Sequence, residues 1–202
     1  MGGLALFDRE RAQIEAAYAW LDAEVGRGVL TAPPDGRAAP PRGRGNEVGD
    51  ASASSRRAED SPPYLAAARQ MLALVNAVAY TSNLRFHPRQ RIAWPESQLR
   101  AARLVKDRKN EGNALGNLGS AHAALGDARK AIEFYEQYLA ITREIGDRRG
   151  EGNALFNSAH AHNSLGNRRE AIARAAAALA IFAAIEDPSA AMVCAQLAQW
   201  RG

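Results

Sequence analysis

With 202 residues, 47% of them apolar and 24% charged, the chain has the composition of one globular domain carrying an appendage; its 6% aromatic content beside abundant alanine favours helix over sheet. One cysteine, Cys194, excludes an intrachain disulfide and a cysteine-based zinc site, and no run of about 18 apolar residues offers a membrane span. The formal charge of +4 is concentrated, because residues 85–109 hold eight basic and two acidic side chains and so carry +6 by themselves.

The N-terminus turns charged at Asp8-Arg9-Glu10, too early for the apolar core of a signal peptide, and the expected compartment is the cytoplasm. Within segment 1–25, Phe7, Ile14, Tyr18, Leu21 and Val25 recur at helical spacing and predict an amphipathic helix from about residue 4. Residues 26–63 break with this pattern: Pro33-Pro34, Pro40-Pro41, Pro62-Pro63, many glycines and Ser52, Ser54 and Ser55 beside Arg56-Arg57 leave no apolar period. A segment with so little apolar surface does not offset its ordering entropy, so it reads as a disordered linker. Beyond it Leu65, Leu72, Val75, Val78 and Ala79 share one face of a second helix, which ends near Phe86-His87-Pro88.

A repeat follows. Residues 111–150 and 151–190 agree at 18 positions at an offset of 40, including Glu111-Gly112-Asn113-Ala114-Leu115 against Glu151-Gly152-Asn153-Ala154-Leu155. A fixed period of this length signals stacked units. Inside each unit two apolar runs flank Leu125-Gly126-Asp127 or Leu165-Gly166-Asn167, where glycine ends one helix at positive φ and Asp127 or Asn167 caps the next. Units 108–147 and 148–187 are therefore helix hairpins. Trp94, Leu99 and Asp107 align with Phe134, Leu139 and Asp147, which implies a divergent first hairpin over 64–107, with Pro95 expected to kink its second helix or delay its start. Asp187-Pro188 reads as an N-cap and first helical residue, launching a capping helix over 188–202.

Asn117-Leu118-Gly119, Ala121, Gly126-Asp127, Ala131-Ile132-Glu133 and Tyr135-Glu136 resemble the tetratricopeptide repeat in its 40-residue bacterial form. Gly119 and Ala159 on the first helix, and Ala131 and Ala171 on the second, are small where the two must approach closely. The resemblance implies an all-α solenoid of helix hairpins, wound as a right-handed superhelix and closed by the C-terminal helix. The first helix and Phe86-His87-Pro88-Arg89-Gln90-Arg91-Ile92 also resemble the segment ahead of such repeats in bacterial NB-ARC regulators. No Walker motif is present, so that likeness implies a truncated sensor arm of a larger regulator.

Function, on this resemblance, lies in the concave groove lined by the first helix of each hairpin. Asn113, Gly116, Ser120, Ala123 and Ala124 fall there in one repeat, and Asn153, Phe156, His160, Asn163 and Ser164 in the next. Asn113, Ser120, Asn153, Phe156, His160, Asn163 and Ser164 are the expected partner-binding residues, with Phe156 either an exposed aromatic anchor or a residue that fills the space left by Gly116 and packs between repeats. The amides of Asn113 and Asn153 suit a peptide backbone, or else brace the helix start; Asn117 and Asn157 fall where the family makes inter-helix hydrogen bonds. Arg108, Lys109, Arg148 and Arg149 enter these helices at the groove rim against the macrodipole, in a partner role or for solubility.

No chemistry beyond binding is implied. His160 and His162 lie about 200° apart around a helix and do not chelate one ion, whereas His122 and His162 are equivalent packing positions. Cys194 is expected as a buried small hydrophobe, and catalytic motifs are absent. The expectation is thus a non-enzyme without cofactor or metal that binds a protein or peptide. Nucleic acid through 85–109 is the weaker alternative, since its aromatics are sparse, and the oligomeric state is not readable.

Overall fold

Every twenty residues from Lys106 to Glu186 the backbone makes the same turn. Lys106, Gly126, Gly146, Gly166 and Glu186 take φ of 57°, 81°, 71°, 78° and 54°, and the next residue is Asp107, Asp127, Asp147, Asn167 or Asp187. Such left-handed residues close one helix, and the acidic side chain opens the next. Asp107, Asp127 and Asp147 accept from the N–H groups of Asn110, Lys130 and Gly150 at 3.0, 3.2 and 2.8 Å, and Asp187 from that of Ser189 at 2.8 Å. Asn167 makes no side-chain cap bond, contrary to expectation. The forty-residue sequence period is therefore two twenty-residue structural steps.

This computed structural model describes residues 15–26, 65–75 and 90–201, and the described residues form eight helices and no strand. They are α1 (15–26), α2 (65–75), α3 (Gln90–Leu104), α4 (Arg108–Ala124), α5 (Ala128–Glu144), α6 (Arg148–Ser164), α7 (Arg168–Ala184) and α8 (Ser189–Arg201). From α3 onward each helix packs on its sequence neighbour, which makes a linear stack of hairpins. The helix α3 runs through Pro95 from a start five residues earlier, so the proline does not delay it. Phe7, Ile14, Val78, Ala79, Phe86-His87-Pro88 and all of the expected linker beyond Gly26 lie outside the described residues. None of the described helices is long and apolar enough to cross a membrane.

The first helix joins the stack. Leu21 and Val25 are buried in one cluster with Ala67, Met71, Leu72 and Val75 of α2 and Trp94 and Ala101 of α3. Tyr18 stacks on Trp94 with ring centroids 4.4 Å apart, and its hydroxyl donates to the Ala93 carbonyl at 2.8 Å beside Ser97 Oγ. Burial pushes that phenol up to about 12. Asp22 adds an ion pair to Arg100 at 2.5 Å.

Close packing between the helices of a hairpin follows the small residues. A Cβ on Gly119 would stand 2.5 Å from the Tyr135 ring, and one on Gly152 would stand 2.8 Å from that of Phe182. Ala131, Ala159 and Ala171 are fully buried. In the first repeat the bulk comes from Tyr135 and Tyr138 on α5; the equivalent α7 residues are Ala175 and Ala178, both fully buried. Their missing volume is restored from elsewhere, and that substitution decides the shape of the groove.

Candidate functional site: the concave face

A cleft of about 270 Å³ opens along the concave side of the first repeat. Asn113, Gly116, Asn117 and Ser120 of α4 and Asn153 and Asn157 of α6 line it, with Tyr138, Gln98 and Val75. The Tyr138 ring forms its floor, since a Cβ on Gly116 would stand 3.2 Å from that ring. Burial pushes the Tyr138 phenol up to about 12, with Asp147 adding to the shift. The four asparagines stand at i, i+4 on two neighbouring helices, so each pair shares one face. Their side-chain amides make no hydrogen bond within the described residues. Asn117 and Asn157 therefore do not brace the helices as expected, and the side-chain bond at the helix start belongs instead to Asn110, which donates to Asp107 at 2.7 Å.

Ser120 and Ser164 are less available than the amides. Ser120 Oγ donates to the Gly116 carbonyl at 3.0 Å and lies 3.2 Å from the Tyr135 hydroxyl, and Ser164 Oγ donates to the His160 carbonyl at 3.0 Å. A second hollow of about 180 Å³ lies further along the face, where His160 and Ser164 meet Asn157, Ala123 and Tyr135. Asn163 lines neither hollow.

Phe156 corrects the expectation of an exposed anchor. It is 8% exposed and belongs to the main core with Ala178, Phe182 and Trp200. Where repeat one pairs Gly116 with Tyr138, repeat two has Phe156 and Ala178, so the large residue has moved from the second helix to the first. His160 meets Phe156 edge-on at 4.6 Å and Trp200 edge-on at 5.0 Å, which draws α8 toward this end of the groove. Burial lowers the pKa of His160. The sequence signal was present in the Tyr138 and Ala178 positions, read together with Gly116 and Phe156.

The rim arginines also change role. Glu111, itself buried, is gripped by Arg108 and by Arg103 of α3 at 2.9 Å, and Arg108 also pairs with Glu144, 3.0 Å from its Nε. Forty residues later Glu151 is gripped by Arg148 and by Arg143 at 2.8 Å, and Arg149 pairs with Asp187 at 2.9 Å. These pairs tie each repeat to its neighbours and use up three of the four expected rim cations. Lys109 makes no ion pair among the described residues. In the described part of the basic segment 85–109, Arg100, Arg103 and Arg108 are paired within the fold, whereas Lys106, like Lys109, makes no ion pair among the described residues.

Cys194 is exposed rather than buried, because the buried stripe of α8 runs through Val193, Leu197 and Trp200, one residue out of phase with it. No group of three or more His, Cys, Asp or Glu residues able to hold a metal occurs among the described residues.

Residues 110–184 match the family model of the tetratricopeptide repeat. The match spans α4 to α7, and the fold is an all-α solenoid of tetratricopeptide-type hairpins. A search of curated proteins found no match. Repeats of this family generally mediate protein–protein interaction; nothing in the match extends to a nucleotidase neighbour.

Proposed function

We propose that this stack of tetratricopeptide-type hairpins is a non-catalytic interaction module that holds an extended segment of a protein partner in its concave cleft. The observation that carries the reading is the set of four amides, Asn113, Asn117, Asn153 and Asn157, lining one cleft with no hydrogen-bond partner among the described residues. Each amide offers two donors and an acceptor, which is what a peptide main chain requires, and among the described residues no charged side chain lines the cleft. The groove is built on packed helices, so little ordering cost falls on its side of the complex. Gly116 keeps the floor low enough for a backbone to approach, and the aromatic joint at Phe156, His160 and Trp200 confines the ligand to the first-repeat end.

A displayed peptide library selected against the full chain tests this. Selected peptides are expected to lose about tenfold in affinity for the Asn113→Ala, Asn153→Ala double variant, the scale of two neutral hydrogen bonds, and none for Gln137→Ala, at an exposed α5 position that does not line the cleft. Peptides that ignore the asparagines and respond to Gln137 would place the working surface elsewhere.

A further inference from the structure

Six large apolar side chains are exposed among the described residues. Leu125, Ile145, Leu165 and Ile185 sit in the turns, but Trp20 and Met192, 58% and 57% exposed, lie on helix bodies, one on the first helix and one on the last. Neither lies alone. Ala16, Ala19 and Ala23 flank Trp20 at helical spacing on α1, and Ala195 and Ala198 flank Met192 on α8, all exposed. Solenoids ordinarily end in polar caps, because the outer face of a terminal unit meets water. Among the described residues the first and the last helix each present such an apolar stripe outward, and between Ser189 and Trp200 the helix α8 has no charged residue at all.

The repeat register says what each end lacks. Met192 and Ala198 stand forty residues after Gly152 and Ser158 of α6. In α6 these positions face its hairpin partner: Gly152 lies under the Phe182 ring, and Ser158 accepts from Arg174 Nη1 at 3.1 Å. The last helix is thus the first half of a hairpin whose second half is missing among the described residues. The first helix is the complement. Trp94 and Arg174 are equivalent positions eighty residues apart, and Arg174 reaches back to Glu136 on α5, the second helix of the preceding hairpin. Trp94 reaches back to Tyr18 on α1 in the same way. So α1 occupies the place of a second helix whose own first helix is missing among the described residues.

We infer that copies of this chain associate end to end, α8 of one copy and α1 of the next completing one hybrid hairpin. The joint continues the packing that already holds the stack together, with the face of α8 covered as α7 covers α6. Trp20 supplies the large side chain that, within the chain, Tyr135 or Phe182 supplies against a small-residue face. The contact is heterologous, so it leaves a free α1 at one end and a free α8 at the other, and growth is not limited to a dimer. Helices of this length span about 20 Å, so a single joint is small and association depends on concentration.

Sedimentation of the full chain over a dilution series up to about 1 mM, with Trp20→Glu and Ala195→Glu as exposed-site variants, tests the joint. The weight-average mass of the unaltered chain is expected to rise past the dimer with concentration. Each variant alone stays monomeric with unchanged helicity, and an equimolar mixture of the two forms a one-to-one dimer, because the mixture retains one intact α1 and one intact α8. A monomer at every concentration overturns the inference. So does self-association of Trp20→Glu, which would mean two α8 faces pairing, or of Ala195→Glu, which would mean two α1 faces pairing. A mixture that stays monomeric while the unaltered chain associates overturns it as well.

Discussion

Repeat one and repeat two, 108–147 and 148–187, have 19 of 40 residues in common and one backbone plan, yet at one position, Gly116 with Tyr138 against Phe156 with Ala178, they fill their hairpins from opposite sides. In repeat one, Gly116 on α4 receives Tyr138 from α5; in repeat two, Gly152 on α6 still receives Phe182 from α7, but Phe156 stands in the place of Gly116 and Ala178 in that of Tyr138, both buried in one cluster. Core volume is conserved while its source is exchanged, as close packing demands. The exchange changes the surface. Bulk supplied from α5 leaves the concave side open over Gly116, and bulk supplied from α6 occupies the corresponding place in repeat two. Two similar sequences thus differ in whether the place above the second helix is open, as at Gly116, or filled, as at Phe156.

The strongest way to break this comparison is to remove the aromatic that repeat two depends on. Phe156→Ala should cost about 3–5 kcal/mol in urea unfolding, the range for an excavated aromatic in a core. Phe156→Gly combined with Ala178→Tyr rebuilds the repeat-one solution and should recover part of that loss. If Phe156→Ala unfolds like the parent chain, the exchange of bulk between helices is not what holds repeat two.

A smaller effect with a change of sign sharpens the same point in repeat one. Gly119→Ala drives a methyl into Tyr135 and should destabilise by about 1–3 kcal/mol. In a Tyr135→Ala background the same change should stabilise by about 1 kcal/mol, because alanine is the better helix former once the ring is gone. Equal effects in both backgrounds would show that the 2.5 Å approach is not the reason for the glycine.

Where the repeats agree, they should respond alike. Glu111→Gln and Glu151→Gln each release two arginines from a buried carboxylate and should each cost about 1–3 kcal/mol. A loss confined to one of them would break the equivalence of the two clamps.

Helices, turns and the stacking order were legible in the sequence because they repeat: the same residues at the same offset impose the same local geometry. The Gly-Asp turns, the small Gly119 and Ala131, and the Asp187 start of α8 all belong to that class. The groove was legible only in part, because exposure depends on what another helix places opposite. Asn113 and Asn153 do line the cleft, but Phe156 needed the knowledge that Ala178 stands where Tyr138 does. Arg108 and Arg148 needed their carboxylates at 111 and 151, with Arg103 and Arg143 arriving from the preceding unit. Repetition of those arginines and glutamates at an offset of 40 was a readable sign of structural pairing. Cys194 was misplaced for a different reason, since the end of a stack buries one stripe of a helix rather than most of it.

The last and smallest contrast lies in the two histidines at equivalent positions. His122 stacks on Phe134 at 5.3 Å, with its Nδ1 3.8 Å from the Asp127 carboxylate. In repeat two Arg174 stands in the place of Phe134, and both ring nitrogens of His162 are buried without a partner. Burial lowers the pKa of both, with Lys130 adding to the shift at His122 and Arg174 at His162, while Asp127 and Glu96 oppose it at the first and Glu170 and Glu136 at the second. Freed in the unfolded chain, each titrates near 6.5. Below that value the unfolded chain binds more protons than the folded one, so stability is full above it, drains as pH falls through it, and stops draining below the folded pKa. Unfolding free energies measured at about pH 7.5 and about pH 5.5 should therefore fall with acid, and fall less in His122→Gln and in His162→Gln. If both variants retain the whole of the parent's acid sensitivity, the loss in this window comes from another group such as His160, whose pKa burial also lowers, since Asp107 and Asp187 with their lowered pKa values act only at more acidic pH, and His122 and His162 are spectators of the packing around them.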